Sequence, residues 1–72
     1  MAGNETHLQQ AERHVREGAR RIADLEARID ELERDGHANA AVIAKELLET
    51  LEKTQELAID HLNIERRMRH SG

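Results

Sequence analysis

Asp35-Gly36-His37-Ala38-Asn39 separates two stretches that each read as one long helix, and this short segment decides the fold. Gly takes the left-handed backbone conformation that closes a helix at little cost, so Gly36 marks a helix end, and Asn39 is the best residue to cap the next helix. Ahead of the break, Leu8, Ala11, Val15, Gly18, Ile22, Leu25, Ile29 and Leu32 alternate spacings of three and four residues across nearly four heptads, the spacing of a coiled-coil seam. Thr6 and Gln9 have the spacing of a capping box, with Asn4 as a competing cap, so the first helix is expected to start near residues 4 to 7. After the break no Pro or Gly intervenes until about His70, and Arg66, Arg67 and Arg69 place cations where a helix carboxyl end favours them.

The expected architecture is all-α: one domain over residues 1–72, with helix one at about 5–35, a turn at about 36–39 and helix two at about 40–70. Helices of this size would be about 45 Å long at about 1.5 Å per residue, too long to persist without packing along their length. A short turn forces them to lie antiparallel against each other as a hairpin.

With the turn centred near position 38, the expected layers set Leu32 against Ala44, Ile29 against Leu47, Leu25 against Leu51, Ile22 against Thr54, Gly18 against Ala58 and Leu8 against Met68. The expected hairpin core is therefore Leu8, Val15, Gly18, Ile22, Leu25, Ile29, Leu32, Leu47, Leu51, Ala58 and Leu62. Gly18 weakens its helix by about 1 kcal/mol relative to Ala, so close packing at that layer should compensate. Ala11 against Glu65 is a poor layer in this register. Gln55 is a second polar residue near the seam, of the kind that sets register or oligomeric state.

Helix two carries more apolar side chains than that seam can use. Ile43, Leu48, Leu57, Ile59 and Ile64 lie to its sides and form the expected dimer interface. Each aliphatic side chain gains roughly 1.5–3 kcal/mol on full burial, and so short a chain has little other core, which points to a second hairpin completing a four-helix bundle. Charge bears on the orientation of the two copies. Residues 22–60 hold 4 basic and 11 acidic side chains, whereas the two terminal segments together hold 7 basic and 4 acidic. A rod with an acidic turn end and a basic open end pairs best head to tail, a preference softened by screening over about 8 Å at physiological salt.

Composition removes several functional classes. Phe, Trp, Tyr, Cys and Pro are all absent, so there is no aromatic platform for bases, no thiolate metal ligand or thiol nucleophile, and no disulfide. No nucleophile–base pair, Gly-rich phosphate loop or His-Glu-x-x-His motif is present, and the expectation is no enzyme activity and no cofactor. His7, His14, His61 and His70 cluster toward the open end, but none follows an acidic residue at minus three, and His61 with Glu65 is the only plausible i, i+4 ligand pair; no metal site is expected. Arg13, Arg16, Arg20 and Arg21 with Arg66, Arg67 and Arg69 could form a basic patch, but Glu12, Glu17 and Glu65 are interspersed and the formal net charge is −4. The longest apolar run, Ala40 to Ala44, is far short of the roughly 20 residues of a membrane span. Asn4 and Glu5 stand where an export signal would carry basic residues, and Cys-free content suits a reducing compartment, so a cytoplasmic location is expected.

Ala11-Glu12-Arg13-His14 with Glu17-Gly18, then Leu32-Glu33-Arg34-Asp35-Gly36-His37, then Leu47-Leu48-Glu49-Thr50-Leu51-Glu52, resemble short helical-hairpin proteins of soil-dwelling proteobacteria that have no established function. The likeness covers about residues 8 to 57, and Leu32 to His37 is its most specific piece. It implies a helical hairpin with no catalytic or binding residues to carry over. Family members often have a polar residue where this chain has Leu25, which implies a drier seam here. The reading that follows is a non-catalytic structural or interaction protein that homodimerises as a four-helix bundle, with no membrane or small-molecule partner and with an unknown protein partner as a further option. Its alternatives are a small nucleic-acid-binding bundle and a hairpin subunit that packs with a different helical protein.

Overall fold

A computed structural model describes residues 5–71, with side chains described through residue 69. Two helices fill it: α1, His7–Arg34, and α2, Ala38–Ser71. They pack side by side as an antiparallel hairpin of 54 × 26 × 13 Å, a single layer of helices about one helix thick. Asn4, the alternative cap, lies outside the described residues.

The start of α1 follows from local chemistry. The Thr6 backbone N–H donates to Gln9 Oε1 at 2.9 Å, and the Gln9 N–H donates to Thr6 Oγ1 at 3.1 Å, so two otherwise orphaned donors are satisfied reciprocally. At the other end Gly36 has φ +79, the only positive φ among the described residues. The His37 N–H donates to the Leu32 carbonyl at 2.8 Å and the Gly36 N–H to that of Glu33 at 3.2 Å, the two bonds of a Schellman motif. This closure turns the chain within three residues.

The expected cap of the second helix does not form. Asn39 does not cap α2, because the helix begins at Ala38 and the Ala41 N–H already donates to the His37 carbonyl at 2.9 Å. The Schellman bonds hold His37 so close to the end of α1 that helical geometry resumes directly after it.

The seam of α1 lies as its spacing requires: Ala11 and Ile29 are buried, and Leu8, Val15, Gly18, Ile22, Leu25 and Leu32 are half-buried. On α2 the seam is different from the expected one. Its buried or half-buried positions are Ala41, Ala44, Leu48, Leu51, Gln55, Ala58, Leu62 and Glu65, an unbroken alternation of three and four. Gly18 therefore faces Gln55 rather than Ala58, and the same spacing sets Ala11 against Leu62 and Leu25 against Leu48. Leu47, expected in the hairpin core, is exposed, and Leu48, expected at the dimer interface, takes a place in the seam. Thr54 also faces outward, and Met68 does not close on Leu8. Lys45 with Glu33 at 2.7 Å and Arg66 with Glu12 at 3.9 Å close one flank of the seam.

The Gly18 layer carries the packing that its position demands. The Gln55 side chain lies over the glycine, where a Cβ would overlap Oε1, and Nε2 donates to the Val15 carbonyl at 2.8 Å. A polar seam residue is thereby satisfied, and it fits only because α1 has no side chain at that point.

Candidate functional site: an apolar face on the second helix

Packing against α1 uses one side of α2 and leaves a second apolar stripe on it. Ala40, Ile43, Leu47, Thr50, Thr54, Leu57, His61, Ile64 and Met68 again alternate spacings of three and four, and all are exposed. At about 100° per residue this stripe, one residue ahead of the seam at each step, is centred about 100° around α2 from it. Its large side chains are open to solvent: Ile43 is 67% exposed, Leu47 51%, Leu57 70%, Ile64 47% and Met68 64%. A helix with one buried side normally turns polar side chains outward. α1 obeys that rule, with Glu17, Arg20, Asp24, Glu31 and Arg34 on its outer side.

Three expected interface residues, Ile43, Leu57 and Ile64, share this stripe at heptad-related positions. Two others do not belong to it. Leu48 is in the hairpin seam, and Ile59, two residues from Leu57, projects about 160° away from it and is 41% exposed. Leu47, Thr54 and Met68 are the members that the sequence pattern assigns to the hairpin layers. The signal that finds them is the regular spacing itself, once the phase of the seam is known from the turn and from the Gly18–Gln55 layer.

The hairpin holds very little core by itself. Among the described residues only Ala11, Ile29, Ala41 and Leu62 are buried, two helices' worth of seam anchored by two alanines, one isoleucine and one leucine. No described side chain is buried beyond 98%.

The polar candidates at the open end resolve into surface pairs. Arg13 reaches Glu5 at 3.1 Å and Glu17 at 3.6 Å, and Glu12 approaches Arg66, so acidic side chains are interleaved with the arginines. His61 Nε2 lies 3.7 Å from Glu65 Oε1. His7, His14 and His61 line one shallow depression with Gln10, Ala11 and Glu65, but no three His, Asp or Glu side chains converge to hold a metal ion among the described residues. The His70 side chain lies outside the described ones. A second shallow groove, between the helices, is lined by Arg13, His14, Glu17, Arg21 and Gln55. No helix among the described residues is long and apolar enough to cross a membrane.

Compared with known proteins, the chain matches no family model, no curated protein and no solved structure.

Proposed function

We propose that the protein is a cytoplasmic, non-catalytic association module, and that two hairpins join through the outer stripe of α2 as a homodimeric four-helix bundle. The observation that carries this reading is the second stripe: Ile43, Leu47, Leu57, Ile64 and Met68 lie on one side of one helix at coiled-coil spacing, each about half exposed or more. Large exposed aliphatic side chains aligned on one side of a helix mark an association site. The thin core gives the same indication from the energetic side, because a hairpin with four buried residues among those described gains much by covering that stripe.

A second copy of the chain is the simplest partner, since it brings an identical stripe of matching length. Size-exclusion chromatography with light scattering tests the reading. A mass near twice 8.2 kDa is expected, and a compact, stable monomer at micromolar concentration would refute it.

A further inference from the structure

The stripe on α2 has a charged border that specifies how a second copy sits on it. The residue just before each of Leu47, Thr54, His61 and Met68 is Glu46, Lys53, Asp60 and Arg67, a column at seven-residue intervals whose charge alternates. Glu46, Lys53 and Asp60 are exposed, and none makes an ion pair among the described residues. We propose that α2 pairs antiparallel with α2 of a second copy in one register, with Lys53 against the partner's Asp60 and Glu46 against the partner's Arg67. This rests on the dimer proposed above and adds its orientation and alignment.

The register follows from side-chain direction. Cα–Cβ bonds tilt toward the amino end of their helix, so in an antiparallel pair the flanking side chains converge from residues slightly carboxyl-terminal of the layer they close. The hairpin shows the same tilt: Glu33 and Lys45, one and four residues carboxyl-terminal of the Leu32–Ala41 layer, meet at 2.7 Å. Applied to the outer stripe, the proposed register stacks Ile43 on the partner's Met68, Leu47 on the partner's Ile64 and Thr54 on the partner's Leu57. Thr50 meets the partner's His61, so the two most polar members share a layer.

Neighbouring registers fail on charge. Sliding one copy by a heptad in one direction sets Glu46 against the partner's Asp60 and Lys53 against the partner's Lys53. Sliding it the other way sets Lys53 against the partner's Arg67 and Asp60 against the partner's Asp60, and it leaves Ile43 and Leu47 uncovered. A parallel pair would turn the charged column toward Ala44, Leu51 and Ala58, where it has nothing to attract. The antiparallel arrangement also lays the acidic turn end of one hairpin beside the basic open end of the other.

The test exchanges the two inner charges in the full-length chain. Lys53→Glu and Asp60→Lys, each alone, place like charges against each other twice per dimer and should weaken homodimerisation by about tenfold, judged from the size of exposed ion pairs. Mixed in equal amounts, the two variants should form a heterodimer within about threefold of the parent affinity, because every inner pair is then of opposite sign. Effects confined to one helix cannot produce that recovery. If the parent chain is dimeric but each variant self-associates like the parent, or mixing gives no preference for the heterodimer, the register is wrong and the dimer reading stands. A parent chain that is monomeric overturns both.

Discussion

Replacing Gly18 with Ala tests whether the Gln55 side chain locks the hairpin register. A Cβ at position 18 would overlap Gln55 Oε1 and lie 2.9 Å from its Cδ, so the amide must swing away and surrender its 2.8 Å bond to the Val15 carbonyl. Loss of such a bond costs about 1 kcal/mol, and the removal of Gly from mid-helix returns about 1 kcal/mol. In the parent background the substitution should therefore leave stability unchanged or lower it by up to about 1 kcal/mol, once the displaced packing is included. After Gln55→Ala nothing occupies the space, and Gly18→Ala should then stabilise by about 1 kcal/mol. The difference is a coupling energy of about 1–2 kcal/mol between the two positions. Urea denaturation of the parent, both single variants and the double variant, followed by helical circular dichroism at one fixed protein concentration, measures it. Additivity to within about 0.5 kcal/mol would refute the argument, because it would mean that Gln55 does not rest on Gly18.

Three substitutions on α2 separate its faces. Leu48→Glu puts a charge in the hairpin seam and should lower the helical signal sharply, whereas Leu57→Glu should halve the mass seen by light scattering and retain more helix. Ile59→Glu, on neither stripe, should alter neither readout; a mass change there would mean that the interface lies elsewhere. Thr6→Ala removes one half of the capping box and should cost about 1 kcal/mol, with faster hydrogen exchange confined to the first turn of α1. Gly36→Ala forces a side chain into a left-handed residue of φ +79 and should cost about 1–2 kcal/mol in the same denaturation assay, with Gly36→Asn milder.

How far the structure was legible in the sequence differs between the two helices for a physical reason. α1 has one apolar stripe, so its spacing alone determines which side is buried, and Thr6 with Gln9 and Gly36 mark its ends to within a few residues. α2 has two stripes of identical spacing side by side, and periodicity cannot decide which of them meets α1. Choosing Leu47, Leu51, Thr54, Ala58 and Leu62 mixes members of both. The phase is set by features without apolar signal: the compact Schellman turn, which starts α2 at Ala38, and the fit of a polar Gln55 over Gly18. Glycine opposite glutamine reads as a defect in a hydrophobicity pattern, yet it is the layer that identifies the register. The candidate face was partly legible for the same reason. An excess of apolar residues on α2 is visible from composition, but that Ile43, Leu57 and Ile64 belong with Leu47 and Met68, and not with Leu48 or Ile59, depends on the phase.

The asymmetry between the helices also constrains the proposed assembly. A two-fold axis that relates antiparallel α2 helices must lie perpendicular to them, and it therefore carries both α1 helices to the same side of the α2 pair. The stripes on α2 are separated by about 100°, so each α1 rises steeply from that pair rather than extending it sideways. The dimer core is then built mainly from α2, buried on two sides, while α1 needs only the single stripe it has and keeps Glu17, Arg20 and Asp24 in water. Between the two α1 helices a trough would remain, floored by Leu51 and Ala58, with His14 and Arg21 on its walls, all of which already border one groove of the hairpin. If the register is right, Leu51→Arg should disturb the hairpin and the dimer together, because that residue stands where the two seams of α2 adjoin. An effect on hairpin stability alone, with dimer affinity intact in the fraction that folds, would place the second copy on a different side of α2.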